Sequence, residues 1–126
     1  MAQDIIHLDT SFLIRALVSK TTQTLEVARW INSGAVLRIS AVAWSEFLCG
    51  PLDSTDLSLA GMMLGEPIPF VSEDAARAAA LFNWAGRRRG LLFDCMIAAV
   101  AIGGNASLAT TNPCDFRRFP GLRLTS

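Results

Sequence analysis

Apolar runs and polar breaks alternate along the chain at spacings that sort into short strands and helices. Ile5 to Leu8 is a brief run rich in β-branched residues, and Thr10-Ser11 is placed to cap a helix predicted over Phe12 to Val18. A second helix is predicted from Thr22 to Asn32, with Leu25, Ala28 and Ile31 on one stripe and Gly34 as its stop. Val36 to Ser40 reads as the next strand, and Ala41 to Cys49 as a helix ended by Gly50-Pro51. After a polar turn at Asp53 to Asp56, a short helix carries Leu57, Leu59, Met62, Met63 and Leu64. Pro67 to Val71 fits a short or edge strand, because proline cannot donate to a ladder. Ser72 is placed to cap a helix running to Arg88, with Arg87-Arg88-Arg89 complementing its C-terminal dipole and Gly90 stopping it. Phe93 to Ile102 is a further helix, stopped by Gly103-Gly104, and Ser107 to Thr110 and Leu122 to Leu124 are the last strands.

Strands alternating with helices in this way imply an α/β fold: a mainly parallel sheet of about four to five short strands with helices on both faces. In such open sheets the binding crevice lies beyond the carboxyl ends of the strands. Asp9 follows the first strand and Asp115 follows Ser107 to Thr110, so both are expected at that edge.

Composition refines the picture. With 126 residues, 52% of them hydrophobic, the chain suits one domain with a proper core and no need of disulfides. Cys49, Cys95 and Cys114 are an odd number with no Cys-x-x-Cys pair, which favours a reducing cytosol over a disulfide framework or a zinc knuckle. The first residues carry Asp4, His7 and Asp9 where a signal peptide needs a basic start and an apolar stretch. The longest uncharged run, Cys95 to Cys114, is broken by glycine, asparagine and proline and suits no membrane span. A soluble cytoplasmic protein is expected.

Four of the eleven acids sit in apolar surroundings: Asp9 after Ile5 to Leu8, Glu46 within Val42 to Cys49, Asp94 after Leu91-Leu92-Phe93, and Asp115 between Cys114 and Phe116. Burying a carboxylate is costly unless it is paired or holds a metal. The only lysine is Lys20, and no arginine lies within four residues of Asp9, Glu46 or Asp94. A divalent cation such as Mg²⁺, which prefers carboxylate oxygens, is the natural counter-charge. Asp94 has an alternative use as a helix cap. The eleven cations balance eleven acids, but with the four unusual acids set aside they face only seven, an excess of four. Neutral composition therefore does not exclude a nucleic-acid partner.

The residues that carry this chemistry also fall into a known order. Asp9-Thr10-Ser11-Phe12-Leu13 follows a strand, Ser45-Glu46-Phe47 lies on a helix, and Phe93-Asp94-Cys95-Met96-Ile97-Ala98-Ala99 comes next. Thr110-Thr111-Asn112-Pro113-Cys114-Asp115-Phe116, followed by Pro120-Gly121-Leu122, closes the set. In order and spacing, over residues 4 to 124, the chain resembles the PIN-domain ribonucleases, above all the VapC-type toxins of toxin–antitoxin pairs. The resemblance implies one PIN-like nuclease domain over residues 1–126. It implies an endoribonuclease in which Asp9, Glu46, Asp94 and Asp115 hold Mg²⁺ or Mn²⁺ for hydrolysis of RNA phosphodiesters by activated water. Thr10, Ser11, Thr110 and Asn112 resemble the family's supporting polar groups. Many relatives carry an acid at the position of Asn112, so a second ion is expected to be weakly held or to bind only with substrate. A cognate antitoxin and a toxin homodimer are the implied partners, with no membrane.

Arg117 and Arg118, beside Asp115, are candidates for substrate phosphate, and Arg15, one helical turn past Ser11, for substrate or an antitoxin carboxylate. Arg87 to Arg89 have the same possible uses besides the helix end. His7 is expected to be a packed or hydrogen-bonded strand residue, and Trp30, Trp44 and Trp84 to lie in the core or a dimer interface. Met62-Met63 and Phe12-Leu13 suit core packing, with an antitoxin groove as their other use. Two other readings share these features. A receiver-type signalling domain also gathers acids at strand ends, but requires a lysine after a late strand; a catalytically silent interaction module keeps the acids for binding alone.

Overall fold

The computed structural model describes residues 3–125, so Met1, Ala2 and Ser126, the ends of the expected domain, lie outside the described residues. Four strands, β1 (Ile5–Leu8), β2 (Val36–Arg38), β3 (Ser107–Ala109) and β4 (Arg123–Leu124), form one sheet in the order β2-β1-β3-β4. Every pairing is parallel, with His7 opposite Arg38 on one side and Leu108 on the other. Side chains alternate faces along a strand, yet Ile6, His7 and Leu8 are all buried, so both faces of the sheet are covered by helices.

The chain leaves β1 for β2 on one side and later returns to β3 on the other. That reversal opens a crevice at the carboxyl ends of β1 and β3.

Helix α1 (Thr10–Ala16) starts two residues earlier than the spacing suggests, because Asp9 itself is the cap and accepts from the Thr10 amide. Helix α2 (Thr22–Asn32) has the expected bounds, but its buried face is a different one. Leu25, Ala28 and Ile31 face solvent, while Val27 and Trp30 are buried. Two forces choose that face. Trp30 stacks on Phe12 at 5.5 Å, and the Thr21 and Thr24 hydroxyls bond the Arg15, Ala16 and Val18 carbonyls at the end of α1.

Helix α3 (Ala41–Leu48) is capped by the buried Ser40 hydroxyl, which accepts from the Ala43 amide at 3.0 Å. Helix α4 (Ser54–Leu64) buries Ala60 and Leu64. No strand forms at Pro67 to Val71. Ile68 lies between two prolines, which have no amide to donate, so its own amide is the local donor, and its amide and carbonyl bridge Ile39 and Ala41 beside β2.

Helix α5 (Ser72–Trp84) packs along α6 (Leu92–Gly103), the most apolar helix, and a 3-10 turn (Arg89–Leu91) leads into the latter. Val71, not Ser72, holds the cap position of α5, where its amide donates to Asp74. The helix stops at Gly86 and not at Gly90. There the Gly86 amide bonds the Asn83 carbonyl and the Arg87 amide the Phe82 carbonyl, a Schellman closure with glycine at φ 89°. Arg87 to Arg89 therefore lie beyond the helix. The short α7 (Pro113–Phe116), which the spacing did not predict, starts from a proline at its first position and buries Phe116 against Phe119. Trp84, expected in a core or interface, is 70% exposed.

His7 is 2% exposed, and its Nδ1 has no hydrogen-bond partner. Burial first, then the nearby Arg38 charge, depress its pKa to about 4, with Asp74 opposing. Above the unfolded value of 6.5 neither state binds the proton; below it the unfolded chain does and the folded one does not. Stability is therefore lost as pH falls from 6.5 toward about 4, by up to about 3 kcal/mol. Denaturant unfolding of wild type and His7→Leu should show wild type losing that amount relative to the variant over this range. Parallel curves would refute the assignment.

Candidate active site

Asp9 is the buried anchor of the strand-end crevice. It is 7% exposed, and its two oxygens take three bonds: Oδ1 accepts from the Thr10 amide at 2.9 Å, Oδ2 from the Thr110 hydroxyl at 2.9 Å and the Ser11 hydroxyl at 3.2 Å. The loop after β3 holds these hydroxyls in turn. The Asn112 amide donates to Thr110 Oγ1 at 3.0 Å and the Thr111 amide to Ser11 Oγ at 3.4 Å. Asn112 thus serves through its backbone, and its side chain makes no cap bond to α7.

Thr10 ties the crevice to α3. Its hydroxyl bonds the Ala43 carbonyl at 2.9 Å and Glu46 Oε1 at 3.2 Å, one proton shared between two acceptors. Glu46 itself is exposed, on the rim. Asp94 is half-buried in the first turn of α6, where the positive end of the helix dipole favours an anion, and it is not the cap residue. Asp115, on α7, is exposed. Of the four acids only Asp9 is truly buried.

The four are nevertheless one electrostatic unit. Asp94 is pushed up to about 6, by burial first and then by Asp9, Asp115 and Glu46, against the opposing charge of Arg118. Asp9 is raised by burial, opposed by its Thr110, Thr10 and Ser11 bonds, with Asp115 adding to the rise. Burial and the Asp9 charge raise Glu46, and Thr10 opposes. Among the described residues no three acid, histidine or cysteine side chains close on a common point, so the carboxylates feel one another without forming a finished cage.

Arg118 belongs to the site through its field on Asp94, and it also acts on the buried Cys95 directly behind. Arg117 and Arg15 are exposed and form no ion pair with the acids among the described residues. Neither arginine forms an ion pair with Asp115 among the described residues. The sequence reading missed a neighbouring groove of about 580 Å³, lined by Val42, Ser45, Glu46, Cys49, Phe93 and Met96. Its only advance signal was the density of apolar residues around Glu46 and Asp94.

A family model for the PIN domain matches residues 6–122. The chain belongs to the PIN-domain family. This PIN domain is similar to Ribonuclease VapC19 of Mycobacterium tuberculosis, with 29% identity over 119 residues that cover 92% of this chain and 95% of the relative. Its fold matches VapBC2 from Rickettsia felis, solved bound to a promoter DNA fragment, with a TM-score of 0.77, 23% identity and 96% and 97% of the two chains covered. VapBC-1 from nontypeable Haemophilus influenzae matches with a TM-score of 0.74, 20% identity and 97% of each chain. At these identities the structures establish the fold of the PIN domain.

The coupling within its acid cluster is measurable. Replacing Asp9 by Asn should move the Asp94 pKa from about 6 toward the ordinary carboxylate value, as read by NMR titration of the side-chain carboxyl. An unmoved Asp94 would separate the two residues.

Proposed function

We propose that this PIN domain, taken as residues 1–126, is a divalent-metal-dependent endoribonuclease that acts in the cytoplasm as the toxin of a toxin–antitoxin pair. The observation that carries the reading is the mutual repulsion of four carboxylates at the strand-end crevice, with Asp94 held near pH 6 and one arginine in opposition. The similarity to a relative named as a ribonuclease supports it.

The residues fit a hard cation. Carboxylate oxygens are the preferred ligands of Mg²⁺ and Mn²⁺, and Mg²⁺ keeps several waters and takes few protein ligands, which suits acids that do not form a closed cage. Asp9, Glu46, Asp94 and Asp115 would hold it. A carboxylate offers roughly four acceptor sites, and Asp9 has three occupied by fixed donors, leaving one to bind. When bound, the ion supplies activation of water and stabilises charge on phosphate oxygens. The protein's own part is positional: Thr110 and Ser11 hold Asp9, Thr10 holds Glu46, the α6 N-terminus carries Asp94, and Arg118 supplies a cation for substrate phosphate. Arg117 lies next to it in sequence and serves the same phosphate.

The antitoxin partner is supported by the toxin–antitoxin complexes among the structural matches and by the apolar groove that borders Glu46. A homodimer accords with the exposed apolar side chains of Ile31 and Met62, which flank one cavity. Among the described residues no helix is long and apolar enough to cross a membrane.

Purified protein should cut RNA with Mg²⁺ or Mn²⁺ and stop with chelator. Asp9→Asn or Asp94→Asn should lower cleavage by more than about 100-fold, and Thr110→Val, which only frees Asp9, by about 10- to 100-fold. Undiminished cleavage in the Asp variants would sink the assignment. Binding is separable from activity. At about 100 times its Kd, Mg²⁺ should stabilise the fold by about 2.7 kcal/mol. The raised Asp94 pKa sets the sign: ionisation costs stability as pH rises through about 6, so the ion's gain is largest above that value and fades below it. A thermal shift that survives in the Asp9→Asn, Asp94→Asn double variant would place the ion elsewhere.

A further inference from the structure

The end of the α5–α6 hairpin carries charge and aromatic surface that the acid cluster leaves unexplained. Trp84, the last residue of α5, is 70% exposed, and Phe93, in the first turn of α6, is 59% exposed. Between them Arg87, Arg88 and Arg89 all face solvent. None is in an ion pair; the pairs found among the described residues are Arg29 with Glu26 and Arg77 with Asp74. Nor do they sit on the last turn of α5, which holds no basic residue, so neutralising the helix dipole does not account for them.

Beyond the Schellman closure at Gly86, Arg87 has a φ of 60°, a conformation that a side chain disfavours. Arg87 Nε donates to Asn83 Oδ1 at 3.1 Å, which fixes the guanidinium at the hairpin's tip. Such local strain is a common mark of a working surface.

The position of this surface decides what it meets. Asp94 follows Phe93 directly, and Phe93 lines the same groove as Glu46, so the α6 side of the hairpin end leads to the acid cluster. Three solvent-facing guanidinium groups without an ion pair, flanked in the chain by two exposed rings, combine the two features that hold single-stranded nucleic acid: cations for phosphates and flat faces for unstacked bases.

We propose that the α5–α6 hairpin end is a docking arm for single-stranded RNA, with Arg87, Arg88 and Arg89 on the phosphates and Trp84 and Phe93 stacking on bases. The inference rests on the ribonuclease reading and adds the place where the substrate lies.

The test measures binding in chelator, where cleavage is off, with a fluorescent mixed-sequence single-stranded RNA and a duplex of equal length. Replacing the three arginines by glutamine should weaken the single strand and lower the slope of log affinity against log salt by about 2, at roughly 0.7 per phosphate contact. Arg→Lys at all three positions keeps the charge and should largely restore the slope. Trp84→Ala and Phe93→Ala should each weaken the single strand about fivefold or more, leave the salt slope unchanged and spare the duplex. With Mg²⁺ these variants should raise KM more than they lower kcat. An unchanged salt slope and unchanged affinity, with cleavage intact, would overturn the arm and leave the ribonuclease standing. Equal losses for duplex and single strand would overturn it too. Arginine variants that bind RNA normally but lose an acidic protein partner would reassign the surface to that partner. A wild type that neither binds nor cuts RNA would remove the ribonuclease reading itself.

Discussion

The Asp9 carboxylate is the point on which the site depends. It ends β1, caps α1, and through Thr110 and Ser11 ties the loop after β3 to the first helix. A buried carboxylate without donors is severely destabilising, so these bonds are a condition of its presence and not an ornament on it. Because they come from residues on both sides of the β1–β3 crevice, satisfying Asp9 also fixes the width of that crevice. Local capping and site assembly are the same set of contacts.

Much of this was legible in the chain. Strands at Ile5 to Leu8 and Ser107 to Thr110, and helices bounded by Gly34 and Gly103-Gly104, follow from apolar runs and strong stop signals. The features that escaped were decided by tertiary geometry. The face of α2 was misjudged because Leu25, Ala28 and Ile31 have the right spacing, yet Thr21 and Thr24 must reach the carbonyls closing α1, and that turns Val27 and Trp30 inward. The end of α5 was misplaced because Gly86 and Gly90 are both stop signals, and Arg87 to Arg89 before Gly90 suit a helix C-terminus. Only the Schellman bonds at Gly86 distinguish them.

The candidate site was legible in membership but not in burial. The four acids share one field, as their apolar neighbours suggested, but Glu46 and Asp115 are exposed and only Asp9 is enclosed. Apolar residues next to a charge in sequence do not enclose it when the helix presents that charge at a rim. Arg15, one turn from Ser11 along α1, is exposed, a position open to a partner's carboxylate. Arg118, two residues past the end of α7, has a charge that acts on Asp94, as its place near Asp115 in sequence suggested.

A cluster of like charges does not share its strain evenly; the member with the fewest donors bears most of it. Asp9 has three donors and Glu46 one, whereas for Asp94 only the Arg118 charge opposes the rise. The frame is therefore finished at Asp9 and left wanting at Asp94. That imbalance has a use. A carboxylate with three protein donors keeps one acceptor site for a ligand, while a half-buried carboxylate raised to about 6 gains most from a cation placed beside it. The unmet charge lies on the side of the crevice where α6 begins, at the foot of the α5–α6 hairpin. Arg118 offsets only part of that repulsion, so Asp94 stays raised.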